Sequence, residues 1–234
     1  VLIHHKDRYR EFAQKNGVAT PKAHGYTSLD AALTGLGEFQ YPVITKPVDL
    51  TGGKGIARAD SVAEGHAAIV RAFEMSRAKR VVIEEFIEGS RHGISTFLRN
   101  GEVVFCFHDD EYYYQNPYLV SAASSPGQLD DACIATLIAT IQRIAQQLDL
   151  VTGLVHVQFI VNQFGEPVIV EICRRAPGDL YTRFVQHATG VNYPELIVRA
   201  AAGMDCELLY QPEKQDFVVR HCIMSDRPGQ VEDV

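Results

Sequence analysis

The chain contains no tryptophan, no C-x-x-C pair, no Lys/Arg run longer than two, and no long unbroken apolar stretch. Each absence closes a class. A membrane-spanning helix needs roughly 20 consecutive apolar residues, and none is found here. With no signal-peptide pattern at the start either, the expectation is a soluble, cytoplasmic protein with no membrane partner. A formal net charge of −7 without clustered basic residues argues against a nucleic-acid surface, while leaving room for one basic pocket. The five cysteines, Cys106, Cys133, Cys173, Cys206 and Cys222, are odd in number and widely spaced, which fits reduced thiols better than a disulfide framework or a zinc site. What the chain does have is 234 residues, 46% of them hydrophobic, enough to bury a substantial core in one domain or two small lobes.

Elements of both periods alternate from the start. Tyr9, Phe12 and Ala13 are spaced for a helix over 4–16, stopped by Gly17. Strands are expected at 23–26, 41–46, 56–59 and 80–84, with helices from Ser28 to Leu36 and from Ser61, where Ser61 and Glu64 form a capping box, to about Met75. After a turn at Gly89, the Asn100-Gly101 pair predicts a hairpin between strands 93–99 and 102–108. Residues 109–128 lack a sustained period and are rich in turn residues, so a long loop is expected. A helix over 130–148 has a single apolar stripe. A second hairpin, 154–161 with 167–173, then two helices near 180–188 and 193–202 and a strand at 217–224 complete the reading.

Two lysine elements have the strongest chemical implication. The strand ending in Lys46 delivers one lysine, and the flexible stretch Thr51, Gly52, Gly53, Lys54, Gly55 supplies a second beside exposed backbone N–H groups. Together they suit a polyphosphate. This is not a Walker loop: the G-x-x-x-x-G-K-[ST] order is absent, and a strand rather than a helix follows. Glu84, Glu85, Phe86 and Ile87, at a strand end, mix edge backbone groups with an apolar pair, which suits an adenine; a plain strand running into a polar turn is the other reading of the same residues. In the second hairpin Glu171 is the best magnesium candidate, because Mg²⁺ takes one or two carboxylates together with phosphate oxygens and water. Arg174 and Arg175 follow it, placed to brace a transferring phosphoryl or acyl-phosphate anion.

In this order the elements resemble the ATP-grasp superfamily, nearest in motif to its biotin carboxylase and carboxylate–amine ligase branches, over nearly the whole chain. The resemblance implies an α+β fold of two lobes with ATP between them: a leading helix of the large lobe in 1–22, a small lobe at 23–88 with the glycine-rich lid, and a large lobe at 89–234 with the metal-binding hairpin. It implies phosphate contacts for Lys6, Lys46, Lys54 and the lid glycines Gly52 and Gly53, an adenine site at Glu84–Ile87, and a ribose contact for His92, which follows Arg91. Glu171 is similar to the family's magnesium-bridging carboxylate, with Gln158 beside it as metal ligand, and Arg175 to the arginine of its E-x-N-x-R motif. ATP with Mg²⁺, or Mn²⁺ in its place, is therefore expected.

The departures matter as much. Gln158 stands where the family usually has a first metal carboxylate and Cys173 where it usually has asparagine. This implies weaker or single-metal binding, or help from a nearby acid such as Asp179. The segment after Arg175 is unlike that of biotin carboxylase. The expected activity is a ligase that activates a substrate carboxylate as an acyl phosphate for attack by an amine. The alternatives are a bicarbonate-dependent carboxylase, a nucleotide-binding regulatory or scaffold module without turnover, and a purely structural domain that binds no ATP. The superfamily's preceding domain, which often binds the carboxylate substrate, is expected to be missing from this chain, and an assembly of identical copies is compatible with the reading.

Overall fold

The structure is a computed structural model describing residues 2–207, 216–225, 227 and 229–230; the ends of the expected 1–22 and 89–234 segments therefore lie outside the described residues. Helix α1 (Lys6–Lys15) buries Tyr9 and Ala13. Beyond it Gly17 takes φ +61°, and the Val18 N–H returns to the Ala13 carbonyl at 2.9 Å, closing the helix end without a Cβ clash.

Four strands follow: β1 (Ala23–Tyr26), β2 (Val43–Pro47), β3 (Ala57–Ala59) and β4 (Val81–Glu85). They form one antiparallel sheet in the order β1-β4-β2-β3. Its back is covered by α2 (Leu29–Gly35) and α3 (Val62–Met75), whose N-caps Ser28 and Ser61 accept the Ala31 and Glu64 N–H groups. Val43, Val81 and Ile83 pack with Ala32, Ile69 and Phe73 of these helices. Strand alternation turns the remaining residues, Ile44, Lys46, Val82 and Glu84, to the opposite face. Ile44 is registered with Glu84 and Lys46 with Val82, so Lys46 and Glu84 are diagonal neighbours on that face.

The second sheet has β5 (Gly89–Arg99), β6 (Glu102–Tyr112), β7 (Ala122–Ser125), β8 (Gly153–Asn162), β9 (Pro167–Cys173) and β10 (Val218–His221), in the order β10-β7-β6-β5-β8-β9. One face packs against α1 and α4 (Asp131–Gln147) through Ile94, Leu98, Val157 and Phe159. The other packs at one end on α5 (Tyr181–Thr189) and α6 (Tyr193–Ala201) through Phe97, Phe105 and Phe107, and is free of helices where it meets the first sheet. The β5–β6 turn has Asn100 and Gly101 at φ 52° and 85°, the left-handed pair such a tight hairpin requires.

The expected loop at 109–128 is corrected: β6 runs on to Tyr112, and β7 occupies Ala122–Ser125. Asp109, Asp110 and Glu111 are poor strand formers, yet all three are buried. Each finds partners that the local sequence does not show: Tyr181 for Asp109, His92 for Asp110, and Gln158 with Tyr113 for Glu111. Among the described residues no helix is long and apolar enough to cross a membrane.

Candidate nucleotide and metal site

The bare faces of the two sheets enclose a cleft with two adjoining cavities of about 800 and 1150 Å³ of empty space, mouths included. Lys6, Ile56, Glu111, Tyr118, Gln158 and Glu171 line both. The first is walled by Ile44, Phe86, Ile87 and Ile160, with Lys46 on its floor. The second takes in Gly52 and Gly53 from one side and Cys173, Arg175, Asp179 and Arg220 from the other. An apolar slot beside a polar chamber suits a ligand with a flat ring at one end and charge at the other.

Lys46 sits in a buried ion network. Its Nζ is 2.6 Å from Glu84 Oε2, and Arg10 Nη2 lies 3.0 Å from Glu84 Oε1. Arg10 also donates to the Val170 carbonyl at 2.7 Å, tying α1 to both sheets. Burial alone would raise the Glu84 carboxyl, but the Arg10 and Lys46 charges outweigh it and hold the pKa at about 2. Burial lowers the Lys46 pKa against the opposing pull of Glu84. Two cations share one carboxylate, so the trio has an excess positive charge beneath the cleft, and an anion arriving there is favoured. Lys6 Nζ donates to the Leu50 carbonyl at 3.1 Å, linking the head of α1 to the start of the glycine-rich stretch. Gly53, at φ +73°, packs so closely on Tyr118 that a Cβ would come within 2.9 Å of it.

Gln158 and Glu171 are directly paired across β8 and β9, beside a bulge, and both face the cleft. Among the described residues no group of three or more His, Cys, Asp or Glu could hold a metal by itself. The donor set still fits Mg²⁺ bound with a nucleotide: one carboxylate from Glu171 and one amide oxygen from Gln158 leave the remaining positions to phosphate and water, as this ion prefers.

The expected residues are not all brought together. Lys6, Lys46, Gly52, Gly53, Glu84, Glu85, Phe86, Ile87, Gln158, Glu171 and Arg175 line the cleft; Lys54 lines neither cavity. The Glu84 carboxylate is engaged by Arg10 and Lys46, and that of Glu85 accepts the Lys22 N–H at 2.8 Å, so any adenine contact here falls to backbone and to Phe86, whose ring lies 4.3 Å from the Arg58 guanidinium.

His92 needs correction as a ribose residue. Alternation along β5 turns it to the α4 face, where it stacks on Phe159 and meets Asp110 Oδ1 at 2.8 Å; its neighbour Arg91 lines the cleft instead. Arg174 is likewise corrected. It points away from the cleft and donates to the Thr152 carbonyl at 2.8 Å. Asp179 lines the second cavity, but its carboxylate faces Arg220 at 3.5 Å.

The reading of residues alone missed Arg10, Glu111 and the network behind the second cavity. There His156 Nδ1 meets Ser95 Oγ at 2.8 Å, and Tyr181 donates to Asp109 at 2.8 Å. Burial lowers the His156 pKa to about 3, keeping the ring neutral. Burial, reinforced by Glu111, raises Asp109. The only local signal was the acidic run 109–111 itself, discounted as turn residues.

The family described as carbamoyl-phosphate synthase L chain, ATP binding domain, matches residues 5–209. The carbamoyl phosphate synthase large chain of Halobacterium salinarum is 27% identical over 206 residues, covering 86% of this chain and 19% of that one. The D-alanine–D-alanine ligase of Legionella pneumophila (strain Corby) is 28% identical over 178 residues, covering 68% of this chain and 48% of the ligase. Among solved structures, the biotin carboxylase domain dimer of the Hydrogenobacter thermophilus 2-oxoglutarate carboxylase, in complex with MgADP, ADP and bicarbonate, superposes with a TM-score of 0.77 at 20% identity, over 93% of this chain and 49% of that one. The chain thus spans from 19% to 49% of the length of these relatives.

Proposed function

We propose, from the premise that this chain belongs to the carbamoyl-phosphate synthase L-chain ATP-binding family and has the ATP-grasp fold, that it is the ATP-binding part of a ligase joining a substrate carboxylate to an amine. The observation that carries this reading is that Lys6, Lys46, Gln158 and Glu171 all line one cleft. Cations and metal-ligating oxygens lining the same cleft suit a magnesium-bound triphosphate. The two relatives, a carbamoyl phosphate synthase large chain and a D-alanine–D-alanine ligase, support an ATP-dependent enzyme. The join to an amine is favoured by the ligase relative and by a chamber lined with both carboxyl and guanidinium groups.

In this reading Ile44, Phe86, Ile87 and Ile160 hold the adenine ring, and Lys46 and Lys6 lie along the phosphates. Magnesium, when bound, neutralises triphosphate charge and orients the γ-phosphoryl group. A substrate carboxylate oxygen in the second cavity attacks the γ-phosphorus; the bond to the β–γ bridging oxygen breaks and ADP leaves. The amine then attacks the acyl carbon, phosphate departs with the bonding pair, and the amine loses a proton. Arg175 stabilises the anionic centre in both steps. Positioning and charge neutralisation supply most of the rate, since side chains have little covalent work in phosphoryl transfer.

The test is calorimetric titration with a non-hydrolysable ATP analogue, with and without Mg²⁺. Lys46→Ala leaves Glu84 paired to Arg10, so the fold survives; loss of one charge-assisted contact weakens binding by about 10- to 100-fold. An unchanged affinity in Lys46→Ala would sink this reading.

A further inference from the structure

Gln158 is a neutral residue at a place where a metal site gains from charge, and its surroundings show how its amide is used. Nε2 donates to both carboxylate oxygens of Glu111, at 2.8 and 2.9 Å. An ionised carboxylate only accepts hydrogen bonds, so the amide is held in one of its two flips, with Nε2 toward Glu111 and Oε1 turned away from it. Tyr113 holds the carboxylate from the other side, its hydroxyl 2.5 Å from Glu111 Oε2.

This contact spans a strand. Glu111 is on β6 and Gln158 on β8, with β5 between them; the residue crossed is Gly93, registered with Asp109 on one side and Gln158 on the other. A Cβ at Gly93 would lie 3.3 Å from Glu111 Oε1 and 2.8 Å from Asp109 Oδ1, tighter than side chains normally pack. The missing side chain on the middle strand is what lets the outer carboxylate reach across.

We infer that Glu111 is a positioning residue for the metal site: it locks the Gln158 amide with its oxygen beside Glu171 and supplies, one residue removed, the negative charge that Gln158 lacks. The inference rests on the nucleotide reading above. Residues behind a metal ligand orient it and raise its basicity, and their loss costs about 10-fold or more in metal affinity.

Electron paramagnetic resonance of Mn²⁺ with the full chain and saturating ADP measures metal affinity, and calorimetry of ADP in EDTA measures nucleotide binding without metal. In Glu111→Gln the charge is gone and either amide can donate to the other. Mn²⁺ binding should weaken by about 10-fold while metal-free ADP affinity does not fall with it and the chain stays folded. The double variant Glu111→Gln with Gln158→Glu keeps the amide–carboxylate pair and moves the charge onto the ligand, so Mn²⁺ should bind at least as tightly as to the parent. Unchanged Mn²⁺ affinity in Glu111→Gln, or a double variant as weak as the single one, overturns the positioning role. If the parent chain binds no ADP, the nucleotide reading falls and takes this inference with it.

Discussion

Two buried polar networks face each other across the cleft, and they are built on opposite charge balances. Beneath the first sheet, one carboxylate, Glu84, is shared by Arg10 and Lys46. On the second, Asp109 and Glu111 are both buried and are held mainly by neutral donors, Tyr181 for the first and Tyr113 with Gln158 for the second. Burial by itself pushes every one of these carboxyls up. Only at Glu84 do adjacent cations reverse the direction, to about 2, whereas Asp109 and Glu111 remain raised. Buried carboxyls here thus shift in opposite directions according to which formal charges lie within contact distance. The cation-rich side suits phosphate; the acid-rich side suits a metal or an amine.

The sharpest way to break this comparison is at Glu84. Glu84→Gln leaves Arg10 and Lys46 buried without their counter-charge and should cost about 3–5 kcal/mol, read as a shift of the urea unfolding midpoint with an unchanged slope. A loss below about 1 kcal/mol would mean that the trio behaves like a surface pair.

Acid titration separates the two sides next. Glu84 has a depressed folded pKa, so its contribution is complete above its unfolded value and disappears only as pH falls toward 2. His156, a base depressed to about 3, is neutral in the fold but protonated in the unfolded chain below about 6.5. The unfolded state therefore binds the extra proton between those values, and stability is lost as pH falls through that window. Unfolding midpoints should decline from about pH 6.5 downward, and less so in His156→Gln; equal slopes for parent and variant would remove His156 as the cause.

A smaller effect of opposite sign is expected at Asp109. Its folded pKa is raised, so its burden appears as pH rises above the unfolded carboxyl value. Asp109→Asn keeps an oxygen for the Tyr181 hydroxyl and should raise the melting temperature at pH 7 but not at pH 4. Loss of stability at both would show that the ionised form is the one the fold prefers. The smallest change is Tyr118→Phe, which removes the 2.9 Å bond from the Arg58 N–H and should cost about 0.5–1.5 kcal/mol. Faster proteolysis near Gly52–Gly53 would confirm that Tyr118 holds the glycine-rich stretch against the large sheet.

Elements with a local cause were legible in the sequence itself. The Asn100-Gly101 turn, the Ser28 and Ser61 caps and the single apolar stripe of α4 each follow from residues a few positions apart, and each is found where it was expected. The charged strand end Asp109–Glu111 was not legible, because what pays for burying it comes from Tyr181, His92 and Gln158. In the site, Lys46 and Glu171 stood out by their settings, while His92 and Arg91 differ only in which side of β5 each faces. A loop assignment one residue off exchanges them.

Residue order alone therefore determined the alternation of helices and strands, the two cationic elements and the Glu171 hairpin, because propensity, capping and turn chemistry act over a few residues. Only the tertiary structure decided that Lys46 shares Glu84 with Arg10, that Gln158 is backed by Glu111 across Gly93, and that His92 and Arg174 turn away from the cleft. Those outcomes depend on strand register and on contacts between residues as many as 74 positions apart, for which no local pattern in the chain carries a signal.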